Sequence, residues 1–284
     1  MAWESHCADT NTYFVPARDR RLRSALSETP GLSPAEVEEY LGNDLQLSTL
    51  FRDCKFCQLE WLDPAKPTVQ SPSQDPNLHR HHHHHHQLGR TVEYRSFLVK
   101  IHTTPSAKGR CPRYIPGVIG VSFATDSQYN VIKSYDTGFG VTALRGHLEA
   151  ARIALETILS RIIPDRRVEL MRQDNFLKNH PGMNDWHPDF RVIIATESSA
   201  LINLITYNQK LTWLSFGTNP GNESQYTFVR GTAVMHTCNY PQVINLLFDL
   251  GQLGVGVKWW LWTVRDNAAR DMCDQQLAGA GLAN

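Results

Sequence analysis

The order of the apolar segments after residue 92 constrains the fold of this chain more than any other feature. Three runs with strand periodicity come first, and the third can pair with the second. An amphipathic helix, a continuous apolar strand, two helical stretches, an aromatic strand and a closing helix follow. This order, β-β-β-α-β-α-α-β-α, predicts an α/β domain in which helices flank a mixed five-stranded sheet. The strands are expected at 94–101, 117–123, 129–135, 191–196 and 257–262, and the helices at 144–158, 198–205, 243–250 and 267–277.

The rest of the chain differs in composition from this domain. Its clearest helix begins at a capping box formed by Ser33 and Glu36 and ends near Gly42. A later stretch is rich in Pro, Ser, Gln and His and has few apolar side chains, so it is predicted to be a flexible linker. The predicted boundaries are a helical or irregular extension over 1–62, the linker over 63–90, the α/β domain over 91–278 and a tail over 279–284.

The composition limits the possible classes of function. The 284 residues contain 28 Lys and Arg against 28 Asp and Glu, so the chain lacks the broad attraction to nucleic acid of a strongly basic protein. No apolar run approaches the ~18 residues that a membrane-spanning helix needs, which excludes a membrane role. The first residues carry acidic and polar groups where a secretory signal is apolar, so a cytoplasmic or nuclear location is expected. The six scattered Cys are expected to be reduced.

The two segments TALRGHLEAA at 142–151 and RVIIATES at 191–198 resemble the type 1 ribonuclease H family. The sequence TALRGHLEAA at 142–151 is similar to the family's first-helix motif, and His147 stands at the catalytic Glu position of that motif. The sequence RVIIATES at 191–198 is similar to the family's fourth strand, which ends in Thr-Asp-Ser. Glu197 stands at the catalytic Asp of that strand.

Further segments extend the resemblance over roughly residues 92–278. NAARD at the start of the last helix resembles the family's Asn-x-x-Ala-Asp, which matches Asp271 to the fourth catalytic acid. In the first strand, Thr103 falls on the Asp of an Asp-Gly pair. The sequence GTAVMH at 231–236 resembles the family's loop that contacts an RNA/DNA hybrid. The resemblance therefore implies nucleic-acid contacts for His236 and Asn267.

The resemblance implies a site for two divalent metal ions held by four carboxylates, at positions that here are Thr103, His147, Glu197 and Asp271. Two of these residues are acids, whereas Mg²⁺ requires hard anionic oxygen ligands. Ordinary two-metal cleavage is therefore not expected. Because imidazole suits transition metals, Mn²⁺ or Zn²⁺ held by His147, Glu197 and Asp271 is the alternative. Mg²⁺ is the remaining divalent candidate. Glu149 does not rescue the site, since it points away from the helix face that bears His147.

Three hypotheses about function follow. The first is a pseudoenzyme that binds RNA/DNA hybrid or other structured nucleic acid weakly, with a decayed metal site. The second is a divergent metal-dependent ribonuclease acting on RNA/DNA hybrids. The third is a protein-interaction scaffold or small-ligand enzyme that reuses the cleft. If the fold is as predicted, His102 and His236 would join the other site residues at this cleft. Fold alone does not choose among them.

Two other patterns are compatible with metal binding. Cys54 and Cys57 have the spacing of a zinc knuckle, but a tetrahedral site needs two more ligands, for which His6 and Cys7 are the candidates. Two ordinary thiols are the preferred interpretation. The run His81–His86 matches a purification tag in composition and lies within the predicted linker, so its metal affinity is not interpreted as function.

Overall fold

The structure of this chain is a computed structural model. The predicted linker, with its run His81–His86, lies outside the residues that the structure describes, as do residues 280–284 of the predicted tail. The described residues are 13–29, 31–54, 57–62, 96–104, 117–135, 143–166, 190–206, 239–262 and 267–279.

The described residues form a seven-stranded sheet with helices on both faces. The strands are β1 (Phe51–Asp53), β2 (Glu60–Leu62), β3 (Ser96–Thr104), β4 (Gly117–Ser122), β5 (Val131–Tyr135), β6 (Arg191–Thr196) and β7 (Gly256–Leu261). The helices are α1 (Arg20–Ser27), α2 (Pro34–Gly42), α3 (Asp44–Ser48), α4 (Ala143–Thr157), α5 (described over 199–206), α6 (Tyr240–Gln252) and α7 (Ala268–Gly279). Helix α4 continues as a π-helix over Ile158–Ile162. None of the described helices is long and apolar enough to cross a bilayer.

The centre of the sheet has the strand order β5-β4-β3-β6-β7. Strands β3, β6 and β7 are parallel, whereas β4 and β5 are antiparallel to their neighbours. The mixed sheet flanked by helices confirms the predicted fold class. The chain connects β3 to its parallel neighbour β6 through β4, β5 and α4.

The prediction of five strands was wrong, because the hairpin of β1 and β2 joins the same sheet. Strand β2 pairs with Phe97 and Leu98, at the beginning of β3, while β4 pairs with β3 from Lys100 onward. Because β6 occupies the other edge of β3, the hairpin lies end to end with β4. The backbone N–H of Glu60 donates to the carbonyl oxygen of Phe123, 2.8 Å away. Strands of three residues are too short to show an alternating pattern in the sequence.

Helix α4 covers one face of the sheet, as its apolar periodicity predicts. Leu148, Ala151, Leu155 and Ile158 are all fully buried in the larger hydrophobic cluster. The polar face carries Glu149, which accepts hydrogen bonds from the side chains of Arg152, Lys133 and Asn239. Glu149 thus forms its contacts on the polar face of α4.

The helices of the predicted extension cover part of the opposite face. Leu22 and Leu26 of α1 and Leu47 of α3 belong to a hydrophobic cluster that also contains Leu98 of β3 and Ile193 of β6. The predicted helix with its capping box is present: Ser33 caps α2 and Glu36 bonds back to the backbone of Ser33. The described part of residues 13–62 therefore shares a core with the sheet.

A buried ion pair connects the extension to β6. The guanidinium of Arg191 donates to a carboxylate oxygen of Asp19 at 2.7 Å and, through Nε, to the hydroxyl of Ser96 at 2.9 Å. Both charged side chains are about nine-tenths buried. Asp19 also caps α1, because its other oxygen accepts the backbone N–H of Leu22 at 2.9 Å. A buried charge of this kind is costly without its counter-ion.

We therefore expect Asp19→Asn to lower the free energy of unfolding by about 3 kcal/mol, because the amide keeps the shape but removes the negative charge facing Arg191. Denaturant titration measures this change. Glu38→Gln is the matched control, since Glu38 pairs with Arg23 on the surface and exposed ion pairs contribute little. Equal effects of the two substitutions would contradict a stabilising role for the buried ion pair of Asp19 and Arg191.

Candidate functional site

The register of β3 and β6 brings two predicted site residues together. Ile101 pairs with Thr196 in the parallel ladder, so the residues that follow, His102 and Glu197, lie side by side at the carboxyl ends of the strands. His102 Nδ1 lies 3.7 Å from Glu197 Oε2. This nitrogen is buried and has no hydrogen-bond partner among the described residues. The carboxyl edge of a parallel sheet is where α/β folds commonly place ligands.

Thr103 lies on the opposite face of β3 from His102, because side chains alternate along a strand. Its hydroxyl donates to the carbonyl oxygen of Val118 at 3.2 Å and lies 3.1 Å from the hydroxyl of Tyr135. Thr103 also faces Gly146 of α4, where an added Cβ would come within 2.4 Å of its hydroxyl oxygen. The β3 residue that approaches Glu197 is therefore His102, whereas Thr103 lies where α4 meets the sheet.

The close approach at Gly146 positions His147 over the edge of the sheet. His147 Nδ1 lies 3.4 Å from the hydroxyl of Thr196, the last residue of β6. Its ring is nearly perpendicular to that of His102, with the centroids 6.5 Å apart. Both imidazoles thus flank the end of β6.

The start of α7, with its capping residue, supplies two donors to the carboxylate of Glu197. The side-chain amide of Asn267 donates to Oε1 at 3.3 Å, and the guanidinium of Arg270 donates to Oε2. Both carboxylate oxygens are therefore engaged, although the side chain keeps about 25% of its accessible surface. A guanidinium is permanently charged and matches a carboxylate in shape. The negative charge of Glu197 is balanced within the protein.

Asn267 is a structural residue of this arrangement. Its side chain is fully buried, and its Oδ1 accepts the backbone N–H of Ala269 at 3.1 Å, which caps α7. The same side chain contacts Glu197, so it faces the interior rather than the surface where a nucleic acid would bind. His236, the other predicted nucleic-acid contact, lies outside the described residues.

Asp271 is exposed on α7, and its backbone N–H donates to the carbonyl oxygen of Asn267. The acid of α7 whose charge acts on His102 is Asp274, one turn further along the helix. Within the described part of the chain, no group of three or more His, Cys, Asp and Glu side chains is placed to hold a metal ion. His147 and Glu197 thus lie near each other at the end of β6, but Asp271 does not join them in a metal-binding group of three.

Both imidazoles of the site have lowered pKa values. Burial, and after it the neighbouring His102, lowers the pKa of His147 to about 4 against the opposing charge of Glu197. Burial also lowers the pKa of His102, with Glu197 opposing this shift and Arg270 adding to it. At neutral pH the site therefore contains two uncharged imidazoles beside one carboxylate–guanidinium pair.

Arg270 and Asp274 are the site residues that the sequence prediction missed. The family pattern Asn-x-x-Ala-Asp has an Ala where this chain has Arg270, so the departure was visible in the sequence. Arg270 follows Asn267 by three residues, which places the two on one helix face. That spacing predicts that the two side chains approach the same neighbour, but it does not identify Glu197 as that neighbour.

Cys54 and Cys57 lie outside this site, in the turn between β1 and β2. Both are buried free thiols, and the indole N–H of Trp61 donates to the sulfur of Cys57 at 3.1 Å. Burial and the neighbouring thiol of Cys54 raise the pKa of Cys57. His6 and Cys7, the proposed additional zinc ligands, lie outside the described residues.

Protonation of His147 is expected to destabilise the fold as the pH falls. Its pKa of about 4 in the folded chain lies below the ordinary 6.5, so the unfolded chain binds the proton more tightly. The contribution of the uncharged His147 to the free energy of unfolding is fully present above pH 6.5. It falls as the pH falls from 6.5 to 4 and is lost below pH 4. The loss is on the order of 3 kcal/mol. Denaturant titration across this window should show that His147→Leu removes this component of the pH dependence.

A direct readout accompanies this prediction. The imidazole resonances of His147 in an NMR titration should change with a midpoint near pH 4. A midpoint near the ordinary value of about 6.5 would contradict the burial of the ring.

Comparisons with known proteins give a weak structural likeness. No family model matches the chain, and no curated protein matches it. Among solved structures, it is similar to the crystal structure of LC9-RNase H1, described as a type 1 RNase H with the type 2 active-site motif. The two share 14% identity with a TM-score of 0.31, over 64% of this chain and 72% of that one. The likeness is too weak to carry an argument about activity. The mixed sheet with flanking helices is compatible with a ribonuclease H-like fold.

Proposed function

We propose that this chain is a ribonuclease H-like nucleic-acid-binding module whose two-metal site has been replaced by a carboxylate–guanidinium pair. The observation that carries the proposal is the engagement of Glu197 by Arg270 and Asn267. The proposed ligand is an RNA/DNA hybrid or another structured nucleic acid. The proposed module binds this ligand without hydrolysing it.

The topology supports the part of the proposal that describes a ribonuclease H-like module. Strands β3, β6 and β7 are parallel, and β4 and β5 extend the sheet as antiparallel strands. His102 and Glu197 emerge at the carboxyl ends of β3 and β6, and α4 brings His147 to the same edge. The two segments at 142–151 and 191–198, which resemble catalytic motifs of the family, thus lie next to each other at this edge.

The chemistry of the donor set supports the loss of the metal site. Magnesium ions require several hard oxygen ligands, and a pair of them requires a concentration of negative charge. Here Glu197 already faces the cation of Arg270, which would repel a metal ion, and the nearby imidazoles are neutral. The residues around Glu197 therefore do not fit two magnesium ions, and we assign no step to a metal.

The charge of the chain supports modest affinity. Binding to a nucleic-acid backbone comes largely from cations that neutralise phosphates and release counter-ions. A formal net charge of +0 provides no general attraction, so the contacts must be local. We expect hybrid binding to weaken steeply as salt is raised.

The test combines binding and cleavage on one fluorescent RNA/DNA hybrid. Fluorescence anisotropy between about 50 and 200 mM salt should show binding that falls with salt concentration. Gel analysis with Mg²⁺, Mn²⁺ or Zn²⁺ should show an intact RNA strand. Arg270→Ala, which restores the residue of the family pattern, should leave the RNA intact as well, because Asp271 alone does not replace the missing carboxylates.

Two outcomes would contradict the proposal. Cleavage by the wild-type chain that disappears in Glu197→Gln would establish the metal-dependent ribonuclease instead. Failure to bind the hybrid at any salt concentration would favour the scaffold or small-ligand enzyme.

A further inference from the structure

Three exposed arginines lie within four consecutive residues at the start of α1. Arg18 ends a short 3-10 turn, and Arg20 and Arg21 are the first two residues of the helix. Within the described ranges, none of their guanidinium groups forms an ion pair or a side-chain hydrogen bond. We refer to Arg18, Arg20 and Arg21 as the arginine cluster.

The acid within this segment does not neutralise the cluster. Asp19 turns inward, where its carboxylate binds the buried guanidinium of Arg191 at 2.7 Å and caps α1 through Leu22. The next arginine along the helix, Arg23, already pairs with Glu38 of α2. The positive charge of the arginine cluster therefore remains exposed on a protein with a formal net charge of +0.

Helix stability does not explain the position of these arginines. The amino end of a helix carries partial positive charge, so cations there are unfavourable and acids are preferred. The first turn of α1 contains no acidic residue. The side chains are also exposed, so they add little to the hydrophobic core. A bound anion would remove the electrostatic conflict.

We propose that the arginine cluster is a phosphate-binding surface for the nucleic acid, separate from the site around Glu197. This inference rests on the proposed function and names the surface that supplies the salt-dependent part of binding. Guanidinium groups bind phosphate oxygens through paired hydrogen bonds, and three adjacent cations suit a repeating anionic backbone. By contrast, the guanidinium of Arg270 already binds Glu197.

The two surfaces lie towards opposite ends of β6. The arginine cluster is joined through Asp19 to Arg191, the first residue of β6, whereas Glu197 follows its last residue. Six strand residues at about 3.3 Å each separate them by about 20 Å. Substitutions in the arginine cluster therefore leave the geometry around Glu197 intact.

The experiment measures the salt dependence of binding to the same fluorescent RNA/DNA hybrid. The variant with Arg18→Ala, Arg20→Ala and Arg21→Ala should bind more weakly at about 50 mM salt. The slope of log K against log salt should become shallower by about 2 to 3, since each lost phosphate contact removes about 0.7–0.9. Replacing the same three residues by Lys should keep most of the slope, because the charges remain.

Arg23→Ala is the matched control. It removes an arginine from the same helix whose charge is already balanced by Glu38, so the slope should stay that of the wild type. Thermal unfolding of every variant checks that the fold is retained. An unchanged slope in the triple Ala variant, with normal binding by the wild type, would overturn this inference and leave the proposed function standing. A wild-type chain that does not bind would instead overturn the proposed function, and this inference with it.

Discussion

The carboxylate of Glu197 is the group around which the candidate site is organised. It lies at the carboxyl edge of the sheet and accepts hydrogen bonds from Asn267, which caps α7, and from Arg270 in the first turn of α7. This pairing fixes α7 against β6 and removes the uncompensated negative charge that a metal site requires. The neighbouring imidazoles of His102 and His147 stay neutral, since burial lowers their pKa values. In the proposed function, this balanced charge is the property that separates the site from one that holds magnesium.

Two glycines allow the helices to reach this edge. An added Cβ at Gly146 would come within 2.4 Å of the Thr103 hydroxyl, which shows how closely α4 approaches β3. An added Cβ at Gly120 of β4 would come within 2.3 Å of the carbonyl oxygen of Ala269 in α7. The positions of His147 and Arg270 therefore follow from close backbone packing on the sheet. Larger residues at either glycine would displace the helix that carries the site residue.

Much of the fold could be predicted from the sequence, because a buried strand and an amphipathic helix have different patterns of apolar residues. The continuous apolar run of β6 and the helical spacing of apolar residues in α4 are examples. The hairpin of β1 and β2 could not, since strands of three residues carry no readable period. The functional roles assigned to the site residues from their motifs stay predictions. In the structure His147 lies beside Thr196, the residue before Glu197, whereas Thr103 lies on the other face of β3 from His102. The sequence alone does not show which face a strand residue occupies, because a shift of one residue in register exchanges the two faces. The role of Arg270 depends on a contact between distant segments, which only the packing of α7 reveals.

Binding of Mn²⁺, followed by electron paramagnetic resonance during titration of the folded chain, tests the replacement of the metal site most directly. Because the cation of Arg270 faces Glu197, we expect the wild-type chain and Glu197→Gln to retain Mn²⁺ equally weakly. Tight retention of two ions by the wild-type chain, lost in Glu197→Gln, would contradict the replacement of the metal site by the carboxylate–guanidinium pair.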